Sequence, residues 1–179
     1  MNTKYNFTQE RCDYLTPPEL VTECLSVLND LGTLYVNMFQ CDVCCSIKNI
    51  PALHHFIDGE KDGLKEDWYA LNFCNPPYKD CDKWVKKAYE ERLKGKTSVL
   101  LIPARTETKY WQKYILQSGY PWEFGVYIKF LRKGYRFLNP ETKAPMGVYK
   151  NPLAIVVFEG LSTGTQQLKL TEKRGENNG

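Results

Sequence analysis

The 179 residues suit one domain, and a 42% hydrophobic, 13% aromatic composition can bury a sizeable core, which leaves no room for a second full-sized domain. No apolar run reaches the roughly 18 to 20 residues that a membrane crossing needs, and the first residues lack the basic-then-apolar pattern of a signal peptide, so a cytoplasmic location is expected. Net charge is only +3, but residues 1–78 carry 5 Lys and Arg against 11 Asp and Glu while residues 79–179 carry 19 against 10, which makes the second part the expected face for a polyanion.

In chain order, the polar first dozen residues precede Thr16-Pro17-Pro18-Glu19, which reads as a helix start. Thr16 can cap, Pro17 suits the first turn and Glu19 completes a capping box. Leu20, Val21, Cys24, Leu25, Leu28 and Leu31 then share one helical face, and Gly32 can end the helix. Phe39 to Cys44, His55 to Ile57 and Trp68 to Cys74 read as buried strands, the last ended by tandem prolines that cannot continue a ladder. Cys81 to Leu93 is predicted as a helix with Trp84, Val85, Ala88 and Tyr89 on one face. Ser98 to Pro103 is predicted as a central strand, Thr106 to Leu116 as a helix, and Phe124 to Phe130 and Leu153 to Phe158 as strands.

Strands alternating with helices predict an α/β fold with a mostly parallel open sheet and helices on both faces, as one domain over residues 1–160 with a polar tail over 161–179. In such a sheet, ligands bind at the carboxyl ends of the strands. Seven cysteines are an odd number in strand-like flanks and read as free thiols. Cys41, Cys44 and Cys45 lack the second CxxC pair of a zinc site, so no metal is expected.

One tetrapeptide carries specific chemistry: Asn75-Pro76-Pro77-Tyr78, at the end of an apolar strand. An exocyclic base amine is a weak nucleophile because its lone pair is delocalised into the ring. The Asn75 side-chain oxygen and the Pro76 carbonyl can each accept one N–H, drawing that lone pair toward an incoming electrophile, while Pro76 and Pro77 fix the turn. Tyr78 offers a flat face for a base flipped out of the duplex. The stretch Lys129 to Lys150 adds six basic residues to one acidic, interleaved with Phe130, Tyr135, Phe137 and Tyr149, a composition suited to phosphates and stacked bases. A plain Pro-Pro turn and a solvated basic surface are the plainer alternatives.

With these segments in order, the chain resembles the phage-type DNA N-6-adenine methyltransferases, small single-domain relatives of the adenine methyltransferases of restriction-modification systems. The resemblance runs through Thr16-Pro17, Asp42 to Ser46 with Asn49, Asp62-Gly63-Leu64 with Trp68, Phe73 to Tyr78, Trp84 to Ala88, Ile102 to Thr108 with Trp111, and Arg136-Phe137, and ends near Phe158. It implies a Rossmann-like class I fold, S-adenosylmethionine as methyl donor, and methyl transfer to the adenine exocyclic amine in DNA without a metal. The setting it implies is the cytoplasm of a bacterial or phage-infected cell, with a monomer favoured.

It also implies site roles. Asn75, Pro76, Pro77 and Tyr78 would be catalytic. Asp42 would accept from the ammonium group of the donor, and Thr16-Pro17 would meet its carboxylate near the free N–H groups of the helix start. Cys44 would border the donor pocket, where many methyltransferases have glycine. Asp62 would lie near the donor adenosine with Asp58 and Glu60 as rivals, and Asn75 would also touch the donor. Tyr78, Arg105, Arg132, Lys133 and Arg136 would contact nucleic acid. The same loop also serves enzymes that methylate protein glutamine amides or RNA bases, and a DNA-binding module without catalysis is the alternative of another class.

Overall fold

A computed structural model describes residues 14–32, 35–117, 120–132 and 134–161. The polar first dozen residues, Lys133 and the tail beyond residue 161 lie outside the described residues.

Six strands form a single sheet in the order β2-β1-β3-β4-β6-β5: β1 Phe39–Cys45, β2 Ala52–Ile57, β3 Leu71–Cys74, β4 Thr97–Pro103, β5 Val126–Phe130 and β6 Leu153–Phe158. β2, β1, β3 and β4 run parallel, whereas β6 pairs antiparallel with both β4 and β5. The sheet is thus parallel on one side and antiparallel on the other. The expected mostly parallel sheet holds only for the half that carries the Asn75-Pro76-Pro77-Tyr78 tetrapeptide.

Helix α1, Pro18–Asp30, lies on one face and helix α2, Cys81–Leu93, on the other. Alternation along the strands sorts the side chains accordingly. Phe39, Phe73, Val99, Leu101, Ile155 and Val157 pack with Leu20, Val21, Cys24, Val27 and Leu28 of α1. Cys41, Val43, Cys74, Leu100, Ile102 and Val156 pack with Trp84, Val85 and Ala88 of α2. Both faces of β4 and β6 are therefore covered, which is why Ser98 to Ile102 and Leu153 to Phe158 read as continuous buried runs.

Several element bounds shift for local reasons. β3 begins at Leu71 and not at Trp68, because the preceding residues are held in a tight loop. The Asn72 side chain accepts from Tyr69 N–H and donates to the Tyr69 and Thr97 carbonyls, and the Trp68 indole donates to the Gly63 carbonyl at 2.7 Å. β2 extends back to Ala52, since parallel pairing with β1 starts at Phe39. The segment from Thr106 opens as turns and tightens into helix only before Trp111–Leu116, a wide π-type stretch ended by Gln117 at φ 50. β5 starts at Val126, after a 3₁₀ turn at Pro121–Phe124 and Gly125 at φ 67.

The helix start departs from the capping box. The N-cap position is Pro17, and no side chain caps the end. Thr16 therefore stands one residue outside the cap, which releases its hydroxyl for another partner.

Glu91 on α2 is fully buried, yet Lys87, Lys94 and the Trp68 N–H hold its carboxyl below its ordinary range against the opposing push of burial. This arrangement ties α2 to the loop before β3. All six cysteines among the described residues are free. No helix among the described residues is long and apolar enough to cross a membrane.

Candidate active site at the carboxyl edge of the sheet

The chain leaves β1 toward β2 on one side and returns to β3 on the other, so the direction of strand progression reverses between β1 and β3. A crevice at the carboxyl ends of strands flanking such a reversal is the position that open α/β sheets use for ligands. Here it is a cavity of about 140 Å³, open to solvent, bordered by Thr16, Asp42, Cys44, Asn49, Asp58 and Asn75 with the apolar side chains of Phe56 and Trp84.

Asp42 reaches the cavity from β1, where the register against β2 shifts between Asp42 and Cys45. Its carboxylate is 2% exposed, and burial pushes its pKa up to about 8. The Cys44 N–H, donating to Asp42 Oδ1 at 3.3 Å, opposes that shift only in part. Asp42 is thus an acid held away from water with no cation beside it among the described residues, an arrangement that a positively charged ligand group would relieve.

Asn75 follows β3 directly. Its Nδ2 donates to Thr16 Oγ1 at 3.1 Å, while its Oδ1 is buried and has no hydrogen-bond partner among the described residues. Thr16, itself 4% exposed, is held in turn by Asn49, whose Nδ2 donates to the Thr16 carbonyl at 3.0 Å. Reciprocal backbone bonds between Leu15 and Leu138 fasten this segment to the loop before β6.

Thr16, Asp42, Cys44, Asp62 and Asn75, five residues predicted to hold the donor, all border the cavity. Pro17 does not; it lines a surface groove on the other side of Thr16. The helix start is also a poor anion site, because Pro17 and Pro18 have no N–H and the Leu20 N–H is donated to the Pro17 carbonyl. Among the three acids weighed for the adenosine, Asp58 and Asp62 border the cavity and Glu60 does not. The Asp62 oxygens are engaged locally, accepting from the Leu64 N–H at 3.0 Å and pairing with Lys65 at 3.1 Å. These contacts hold its carboxyl below the ordinary range. Asp58 stands at the carboxyl end of β2 without such engagement of its side chain.

Gly63 makes the floor of this region possible. A Cβ there would come 2.0 Å from the Val43 carbonyl oxygen and 3.0 Å from the Trp84 ring.

Pro76 is buried and Pro77 borders the cavity. Tyr78 does not border this cavity. Its ring packs edge-on against Phe137 and Tyr149, at centroid separations of 6.2 and 5.6 Å, and its buried hydroxyl has no partner among the described residues. Arg105 follows β4 on the same sheet edge; burial raises the phenols of Tyr110 and Tyr149, and the nearby Arg105 charge offsets only part of that rise. Arg132 and Arg136 are exposed beside Tyr135 in the groove that Pro17 lines, with Arg136 Nη1 donating to the Met146 carbonyl at 3.3 Å. Of the basic stretch, Lys129 is diverted into a 2.7 Å ion pair with Glu23 of α1.

Sequence reasoning gave no role to Asn49, Phe56, Lys61 or Trp84, all of which border the cavity. Only Asn49, a lone amide after β1, carried a signal; Phe56 and Trp84 are indistinguishable from core by pattern. Among the described residues no group of three His, Cys, Asp or Glu is arranged to hold a metal.

The model of the DNA N-6-adenine-methyltransferase (Dam) family matches residues 14–174. The chain belongs to that family. A crystal structure from Pyrococcus horikoshii, of a protein designated an RNA methyltransferase, is similar in fold, with a TM-score of 0.52 at 15% identity over 90% of this chain and 93% of the other. No curated protein sequence matches. Family and fold together support a methyltransferase that uses an S-adenosylmethionine-type donor.

Proposed function

We propose that this Dam-family protein transfers the methyl group of S-adenosylmethionine to the exocyclic amine of adenine in DNA, on a Rossmann-like class I scaffold. The observation that carries the reading is Asn75: a carboxamide at the end of β3 whose nitrogen is committed to Thr16 and whose buried oxygen has no partner. A desolvated acceptor without a donor costs about 1 to 3 kcal/mol, and an amine N–H supplied by a substrate removes that cost. With the Pro76 carbonyl as second acceptor, the amine nitrogen is drawn toward sp3 character.

The donor contributes an activated methyl on a sulfonium. The chain's own residues suit such a molecule: Asp42 for its ammonium group, Asp58 for the ribose hydroxyls, and Phe56 and Trp84 as apolar walls. Asp62 then serves the turn at Gly63 more than the ligand.

DNA as substrate is supported by the family and by exposed Arg132 and Arg136, with Arg105 at the sheet edge beside the tetrapeptide. Tyr78 would stack on a flipped base through the part of its ring that Phe137 and Tyr149 leave open. Incubating the protein with methyl-labelled donor and, in parallel, duplex DNA, RNA or a glutamine-bearing protein tests the assignment. Label in the adenine of DNA supports it; label confined to RNA or protein overturns it.

A further inference from the structure

We propose that Thr16 is a positioning residue that makes the orientation of the Asn75 carboxamide depend on the bound donor. The inference rests on the reading that the cavity takes an S-adenosylmethionine-type donor and that Asn75 Oδ1 accepts from the substrate amine.

A threonine before a helix ordinarily caps it, but the cap position is Pro17 and no side chain caps α1. The Thr16 hydroxyl is instead 3.1 Å from Asn75 Nδ2, across 59 residues of sequence, and Thr16 borders the same cavity as Asp42 and Asn75. Asn49 Nδ2 and the Leu15–Leu138 bridge fix the backbone on either side, so the hydroxyl is presented from a rigid support. Among the described residues, the hydroxyl proton meets no acceptor.

A hydroxyl can both donate and accept, so alone it does not select the orientation of a carboxamide beside it. It could accept from Nδ2, or donate to Oδ1 of a flipped Asn75. The flipped form would turn an NH₂ toward the substrate amine, donor against donor, and methyl transfer would lose its acceptor. An anionic carboxylate in the cavity removes the ambiguity. A carboxylate only accepts; Thr16 then donates its proton to it, and the Thr16 oxygen can only accept from Asn75 Nδ2. Oδ1 is then held toward the base. The α1 start, with two prolines, offers few N–H groups for that carboxylate, which leaves the Thr16 hydroxyl as its donor at this end of the cavity.

Three variants and one spectroscopic readout test the relay. Thr16→Val, which keeps the shape and removes the hydroxyl, is expected to lower kcat about tenfold while changing the KM for DNA less than threefold, the loss expected for one hydrogen bond. Thr16→Ser is expected to restore kcat to within threefold of the parent. In an Asn75→Ala background Thr16→Val is expected to have no further effect on kcat, since it acts through Asn75. The Asn75 side-chain NH₂ resonances of the full-length protein, followed by NMR as S-adenosylhomocysteine is added, are expected to shift and exchange more slowly in the parent and in Thr16→Ser but not in Thr16→Val.

Equal kcat losses from Thr16→Val with and without Asn75 would overturn the relay, as would NH₂ resonances of the parent indifferent to S-adenosylhomocysteine. That last readout uses the parent protein, so it holds even if Thr16→Val folds poorly. It also needs no methyl transfer, so failure of the relay is distinct from failure of the DNA assignment, which the labelled-donor experiment reports separately.

Discussion

Replacing Asp42 by asparagine is expected to stabilise the donor-free protein at neutral pH and to weaken its hold on the donor. The carboxyl is 2% exposed and its pKa is pushed from 3.8 up to about 8 by burial. Because the folded-state value lies above the unfolded one, the folded protein binds the extra proton, and stability is highest below pH 3.8 and declines as pH rises toward 8. At pH 7 this decline amounts to something on the order of 4 kcal/mol, at 1.36 kcal/mol per unit. Asparagine avoids it while keeping an oxygen for the Cys44 N–H. For a chain of this size that corresponds to a rise in Tm of roughly 10 °C at pH 7, shrinking toward zero near pH 4. Donor binding has the opposite sign: at pH 7 only about a tenth of Asp42 is ionised, so affinity is expected to rise about tenfold between pH 7 and pH 8.5 and to lose that dependence in Asp42→Asn. Thermal unfolding of both proteins at pH 4, 5.5 and 7, with calorimetric titration of S-adenosylhomocysteine at pH 6 to 8.5, checks both halves. A Tm difference that does not grow with pH, or donor affinity that is flat with pH in the parent, would refute the reasoning.

Four other outcomes follow from the same geometry. Asn75→Ala is expected to lower kcat by about 100- to 1,000-fold, as loss of a preorganised acceptor does, with donor affinity within a few-fold, read by labelled-donor kinetics and calorimetry. Tyr78→Phe removes a buried hydroxyl that has no partner and is expected to be neutral or stabilising by up to about 2 kcal/mol in urea unfolding, with methyl transfer kept; Tyr78→Ala is expected to lose more than tenfold in rate through lost stacking. Gly63→Ala, which drives a Cβ against the Val43 carbonyl, is expected to destabilise by about 3 kcal/mol and to weaken donor binding, visible in urea unfolding and calorimetry. Arg132→Ala and Arg136→Ala are expected to weaken DNA retention and each to reduce the salt slope of binding by about one, measured by fluorescence anisotropy at several salt concentrations.

The parts of the fold that were legible in the sequence are those fixed by local periodicity. α2 spans the same residues as its helical pattern, and β4 and β6 follow from unbroken apolar runs. The tetrapeptide announced itself through tandem prolines that end β3, and topology then explains why Asn75, Asp42 and Thr16 meet: β1 and β3 flank the reversal of strand order. The antiparallel direction of β6 was not legible, since a strand buried on both faces reads alike in either sense. Thr16 was misread as a cap because the capping-box pattern is local, whereas its actual partner lies 59 residues away. Asp62 was put forward by the family resemblance with Asp58 as a rival; both border the cavity, and local contacts that sequence does not show engage the Asp62 oxygens. The aromatic contacts of Tyr78 with Phe137 and Tyr149 depend on tertiary folding alone.

The central claim is that the unpartnered oxygen of Asn75 receives an adenine amine of DNA. Its most direct test is mass spectrometry of nucleosides from duplex DNA treated with S-adenosylmethionine and either the parent protein or Asn75→Ala. N-6-methyladenine is expected as the new nucleoside with the parent, and at least a hundredfold less of it with the variant. Unmodified adenine with the parent, or equal methylation by the two proteins, would contradict it.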